Sequence, residues 1–94
     1  MQNTCYFYIL KCSDGSYYTG PTTNLENRLK THNQGKAAAY TSKRRPVRLV
    51  YTERFSSFDD AAKRERQVKK WSRAKKEALI NGEKKMLKKL SKSH

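Results

Sequence analysis

The patterned part of the chain begins at residues 5–12, CYFYILKC, an unbroken run of aromatic and aliphatic positions closed by a lysine and a cysteine. A run of this kind is rich in strand formers and predicts a β-strand. A turn at Asp14-Gly15 and then SYYTG follow, so the opening segment reads as a β-hairpin. Beyond Pro21 the spacing of apolar residues lengthens. Thr23 with Glu26 three positions on reads as a capping box, and Leu25 and Leu29 continue a helix to about Asn33, ended by Gly35. Residues 36–46, KAAAYTSKRRP, read as a basic connection, and Val47 to Phe55, VRLVYTERF, alternates apolar and polar positions as a third strand would. Ser56 or Ser57 caps a second helix, with Asp59 and Asp60 in its first turn and an end near Trp71. Ser72 caps a third helix through Ile80, stopped by Asn81-Gly82. The order β-β-α-β-α-α predicts an α+β fold, a small three-stranded antiparallel sheet flanked by helices. It forms one domain over residues 1–81, with residues 82–94 as a basic tail or short helix carrying Met86, Leu87 and Leu90 on one side.

The hairpin holds four of the six tyrosines, and its loop decides what they can do together. A two-residue Asp14-Gly15 turn pairs Ser13 with Ser16 and places Tyr8 and Tyr18 on opposite faces. A three-residue loop, Ser13-Asp14-Gly15 with Gly15 left-handed, pairs Cys12 with Ser16 and puts both tyrosines on one face. If they share a site, the second register is required, or another bulge must restore the same parity.

Charge narrows the partner. The 94 residues carry a net +14, with a pI near 10.1. Residues 1–42 hold four Lys/Arg against two acids, and residues 43–94 hold eighteen against six. Such a field attracts polyanions, of which nucleic acid is the commonest inside cells; a ribosomal or membrane-surface role would give the same composition. With 35% hydrophobic and 32% charged residues, the core must be small. Cys5 and Cys12, placed on one strand, would lie roughly 23 Å apart, which excludes a disulfide and fits thiols in a reducing cytoplasm. No signal peptide is visible and no apolar run approaches the roughly 18 residues of a membrane span, so a soluble cytoplasmic protein without a membrane partner is expected.

Three features break their local pattern. Phe58, Ala61, Ala62 and Val68 form an apolar stripe on the second helix, and Glu65 falls in its middle. A carboxylate there is costly unless paired or bound to a cation. It is a buried salt bridge, a residue on a stripe that is really shallow surface, or a metal ligand. Arg28 and His32, four apart on the first helix, share a face beside Leu25 and Leu29; an exposed arginine with a bystander histidine is the plainer account. Tyrosines in strands are usually packing residues. Taken together, however, these are the parts of a phosphodiesterase. Arginine neutralises charge on the scissile phosphate. A carboxylate holds a divalent cation that polarises it. A tyrosine or histidine handles the proton of the attacking water. Lowering a tyrosine from about 10 to 7 takes about 4 kcal/mol, which a neighbouring arginine, metal and histidine would have to supply.

Tyr8, YTG at 18–20, NLENRLKTHN at 24–33 and KRERQVKKW at 63–71 together resemble the GIY-YIG nuclease superfamily, in particular its small stand-alone bacterial YhbQ/YazA-like branch. The resemblance covers roughly residues 5–80. It implies a three-stranded antiparallel sheet flanked by helices and metal-dependent endonucleolytic hydrolysis of a DNA phosphodiester with one Mg2+ or Mn2+ ion. By position it implies Tyr8 and Tyr18 as the two signature tyrosines, Arg28 as the helix arginine, His32 as the histidine one turn on, and Glu65 as the metal ligand. Which tyrosine is the base stays open, as does whether a protein partner supplies specificity. Three positions depart from the pattern. Tyr6-Phe7-Tyr8 stands for Gly-Ile-Tyr, Pro21 follows YTG in place of an aliphatic residue or lysine, and Asn81 alone is available for the distal asparagine of some members. The rival reading is an inactive nucleic-acid-binding module on the same scaffold, with Trp71 either stacking on bases or closing the core.

Overall fold

The computed structural model describes residues 4–83. Residues 84–94, the larger part of the expected tail, lie outside them. Strand β1 (Cys5–Lys11) is central, with β2 (Tyr17–Thr22) and β3 (Arg48–Phe55) antiparallel on either side in the order β2-β1-β3. A strand covered on both faces has no reason to alternate, and β1 is buried at Cys5 and without interruption from Phe7 to Leu10. Phe7 and Ile9 point to one face, where helices α3 (Phe58–Lys69) and α4 (Arg73–Ile80) bring Val68 and Leu79 against them. Tyr8 and Leu10 point to the other face, where helix α1 (Leu25–Asn33) brings Leu25 and Leu29. The expected α+β architecture is the observed one.

The hairpin adopts the three-residue loop. Cys12 N–H donates to Ser16 O at 2.8 Å, Gly15 N–H donates to Cys12 O at 2.9 Å, and Gly15 sits at φ +84°. Leu10 is therefore opposite Tyr18 and Tyr8 opposite Gly20, so Tyr8 and Tyr18 share a face. Pro21 pairs with Phe7 on β2, an edge strand, where a missing N–H is tolerated.

Four local expectations need correction. Asn24, not Thr23, caps α1: its Oδ1 accepts from Asn27 N–H at 3.0 Å, while Thr22 Oγ1 accepts from Asn24 N–H at 3.1 Å and sets the start one residue later. The basic connection contains a short helix, α2 (Ala39–Ser42). Asn33 ties this connection to α1, its Oδ1 accepting from Val47 N–H at 2.8 Å and its Nδ2 donating to Val47 O at 3.0 Å. Helix α3 ends at Lys69, two residues before Trp71, and its stripe is narrower than the sequence suggests. Ala61 and Val68 are buried but Phe58, the first residue of the helix, is 49% exposed. Finally, β3 carries a bulge at Val50: Ile9 pairs with Tyr51 and Leu10 with Leu49, which resets the alternation read over residues 47–55.

The later helix caps, the glycine stops and the packing of Trp71 agree with expectation. Ser57 caps α3 and Ser72 caps α4. Gly35 and Gly82, both at positive φ, close α1 and α4, with Lys36 N–H on Thr31 O and Glu83 N–H on Ala78 O. Cys5 and Cys12 are buried thiols. Trp71 packs against the α3/α4-side core, with Lys75 Nζ 4.0 Å from its ring centroid, which is the core-closing role. Among the described residues no helix is long and apolar enough to cross a membrane.

Candidate active site

A hollow of about 290 Å³ opens across the β2 edge of the sheet. Tyr8, Tyr18 and Gly20 form its floor, Arg28 and Tyr40 its α1/α2 wall, and Glu65, Lys69 and Lys76 its α3/α4 wall. Of the five residues singled out from sequence, four line this hollow. The fifth, His32, lies beneath it, fully buried. Two helices on opposite faces of the sheet can contribute to one hollow because β2 is the outermost strand and side chains from both faces meet at its rim.

His32 organises the floor. Its Nε2 is 2.9 Å from the Tyr8 hydroxyl and its Nδ1 is 2.8 Å from Thr41 Oγ1. Thr41 spends its one proton on Ala38 O at 3.2 Å, so it accepts from His32 Nδ1–H. Nε2 is then bare and accepts from the Tyr8 hydroxyl. Burial, with the Arg28 charge second, depresses His32 from 6.5 to about 4, which keeps the ring neutral, and the bond to Thr41 sets the tautomer. Arg28 Nε donates to the Tyr8 oxygen at 3.3 Å; among the described residues its terminal nitrogens have no other partner. The Tyr18 ring meets His32 edge-on at 5.1 Å and stacks on Tyr40 at 6.1 Å, and its hydroxyl makes no hydrogen bond among the described residues.

Of the three groups expected to lower Tyr8 jointly, arginine, metal and histidine, Arg28 acts in that direction through its hydrogen bond and charge. Burial raises Tyr8 above 10, and Arg28 opposes this only in part. Tyr8 is a phenol hydrogen-bonded to a base.

Glu65 is half-buried on the rim of the hollow, not inside the core. Its Oε2 accepts from Thr19 Oγ1 at 3.1 Å, and it forms no ion pair with any of the described residues. The fit to a metal can be judged from this donor set. Among the described residues no three His, Cys, Asp or Glu side chains converge, so a site needing several protein ligands is absent. One held carboxylate beside an open hollow suits a hard cation that keeps waters and takes its remaining oxygens from a phosphate. Glu65 fits that role.

Sequence reasoning passed over several residues. Gly20 makes room for Tyr8: a Cβ there would lie 2.5 Å from the Tyr8 oxygen and 2.7 Å from Cζ. The glycine of YTG was the available signal. Thr19 and Thr41 fix Glu65 and His32, and Thr41 lay in a stretch without readable periodicity. Asn81, considered as a distal site residue, caps α4 and lines a separate depression with Lys11 and Arg48.

Comparison with known proteins agrees with this geometry. The profile of the GIY-YIG catalytic domain matches residues 4–78. A UPF0213 protein of Staphylococcus haemolyticus is 56% identical over 75 residues, covering 80% of this chain and 92% of its own. The UPF0213 protein YazA of Bacillus subtilis is 49% identical over 78 residues, 83% of this chain and 79% of its own. The solution NMR structure of a UPF0213 protein from Bacillus halodurans, 50% identical, superposes with a TM-score of 0.54 over 83% of each chain. The shared domain, the relatives at about half identity and the matching fold lead to one conclusion: the chain belongs to the GIY-YIG family, a nuclease family acting on nucleic acid, among its UPF0213 members.

Proposed function

We propose that the protein is a metal-dependent endonuclease that hydrolyses DNA phosphodiester bonds at the β2-edge hollow. The observation that carries this reading is the meeting of Arg28, the His32-bound Tyr8 hydroxyl and Glu65, a carboxylate with no ion pair among the described residues, around one opening. A module that only binds DNA gains nothing from a carboxylate at that place.

The scissile phosphate docks against Arg28, whose terminal nitrogens face its non-bridging oxygens while Nε holds the Tyr8 oxygen in place. Glu65 would hold a divalent ion, which would supply positive charge to the phosphate and its leaving oxygen. The attacking water lies between Tyr8 and Tyr18. As its oxygen bonds to phosphorus, its proton passes to the Tyr8 oxygen and the Tyr8 proton passes to His32 Nε2. The phosphorus–oxygen bond to the departing strand breaks, and that oxygen takes a proton from solvent. His32 returns its proton through Tyr8. This relay needs no standing tyrosinate, which answers the high pKa of Tyr8.

The test is a cleavage panel of branched, flap, duplex and single-stranded DNA with Mg2+ or Mn2+, run on the wild type and on Glu65→Gln. The variant keeps the side-chain volume and is expected to lose cleavage by at least about a hundredfold, a few kcal/mol of transition-state stabilisation. Its metal-free DNA affinity stays unchanged or rises. Wild-type cleavage by Glu65→Gln would sink the assignment. A fall in melting temperature with metal binding intact would return Glu65 to a structural role.

A further inference from the structure

The α4 wall of the hollow carries a charge that no group among the described residues holds. Each of its neighbours on that helix is engaged. Arg73 pairs with Glu77 at 3.3 Å and lies 4.8 Å over the Tyr17 ring, Glu77 accepts from the Tyr17 hydroxyl at 3.0 Å, and Lys75 sits 4.0 Å over Trp71. Lys76 lines the hollow half-buried and has no hydrogen bond, ion pair or ring contact among the described residues. Burial alone lowers its pKa, with no carboxylate offsetting the effect. A lysine that serves only solubility has every freedom to extend into water. This one is kept on the wall of a hollow, beside the exposed Lys69.

The position says which anion it meets. Arg28 stands on the side of the α1 face and Lys76 on the side of the α4 face, so the two cations flank the β2 edge from opposite faces of the sheet. One phosphate near Arg28 and Glu65 uses the first cation and leaves the second free. A nucleic-acid strand offers a further phosphate on each side of the one being cut.

We propose that Lys76, assisted by Lys69, forms a second phosphate subsite on the α4 wall, which takes a phosphodiester adjacent to the scissile one and so grips the strand at two points across the β2 edge. This rests on the reading of the hollow as the DNA site. Lys76 acts on binding and alignment of the strand, not on the bond being broken, so its contribution is equal in the ground and transition states.

The experiment compares wild type, Lys76→Met and Lys76→Arg. Metal-free affinity for a labelled DNA oligonucleotide is measured across a salt series, with KM, kcat and melting temperature on the best substrate of the cleavage panel. Lys76→Met is expected to weaken DNA binding about three- to tenfold, whatever the base sequence, and to reduce the slope of log affinity against log salt by about one. KM rises by a similar factor and kcat is unchanged within about twofold. The melting temperature holds or rises, because an unpaired charge has left a half-buried place, and Lys76→Arg restores affinity. Unchanged affinity and slope overturn the proposal. So does a fall in kcat without a change in KM, or an affinity loss accompanied by a lower melting temperature and an unchanged slope. The two readings separate cleanly. Wild-type protein that shows the Lys76-dependent slope but cleaves nothing keeps the subsite and loses the nuclease assignment; wild-type protein that cleaves, with Lys76→Met indistinguishable from it, does the reverse.

Discussion

His32 is the residue on which the floor of the hollow turns, and its burial has a measurable consequence. A histidine that remains neutral in the fold down to about pH 4 but titrates near 6.5 in the unfolded chain makes the unfolded state bind more protons between those values. Its contribution to stability is therefore complete above pH 6.5 and lost as pH falls toward 4. A shift of this size corresponds to about 3 kcal/mol, a large part of the stability of so small a domain. Urea melts of the wild type from pH 7.5 to 4 are expected to show that loss. His32→Gln, which keeps a polar side chain but cannot titrate, is expected to start less stable and to lose much less over the same range. An equal pH dependence in both proteins would mean that other groups carry it. In cleavage, the acid limb of kcat/KM that belongs to His32 is expected well below 6.5, since that profile reports the free enzyme.

Among the elements, the decisive relation is β2 against β1. A one-residue slip in their register would send Tyr18 to the α3 side, and the loop at Ser13-Asp14-Gly15 prevents it: the Asp14 carboxylate accepts from Ser16 N–H and Oγ, and Arg44 Nε pairs with it at 3.0 Å. Within that register Gly20 lies directly opposite Tyr8. Gly20→Ala would press a methyl group into the phenol, and the Tyr8 hydroxyl must leave its place between His32 and Arg28. The expected result is a loss of cleavage by about ten- to a hundredfold, with a stability cost of about 1–3 kcal/mol from overpacking. Steady-state cleavage and thermal melts on that variant check both. Full activity with the methyl in place would show that Tyr8 need not hold its present position.

At the scale of the whole molecule the charge distribution takes over. Residues 43–94 hold +12 of the net +14, and no groove-reading motif accompanies them. Binding to nucleic acid is accordingly expected to be electrostatic and directed by shape. Affinity falls steeply with salt and varies little with base sequence. A titration of duplexes of different sequence at several salt concentrations tests this, and either salt-insensitive binding or strong preference for one duplex sequence would count against it. The outer edge of β2, which pairs only with β1 among the described residues, belongs to the same picture. Pro21 removes one donor from that edge and blunts it against pairing with another chain, while the hollow beside it stays open.

Local rules in the sequence were sufficient for the strands and the three longer helices. Apolar runs, period, Ser57, Ser72 and the terminal glycines placed three strands and three helices, because caps and strand propensity act over a few residues. They also supplied the chemical types: a carboxylate out of pattern at Glu65, an arginine and histidine one turn apart, and tyrosines on both arms of one hairpin. Short signals competed where the text was ambiguous. Asn24 displaced Thr23 as the cap, and α2 hid in a connection too short for any period to show. The meeting of the parts belonged to the tertiary structure. Glu65 comes from the α3 side and Arg28 from the α1 side, and only the order β2-β1-β3, which leaves β2 at the edge, lets opposite faces reach one hollow. The hydrogen bond from Tyr8 to His32 spans 24 residues and the one from Thr19 to Glu65 spans 46. Proton positions, burial and the neutrality of His32 follow from such contacts, which no local pattern encodes, because desolvation depends on everything that packs around a group and not on its neighbours along the chain.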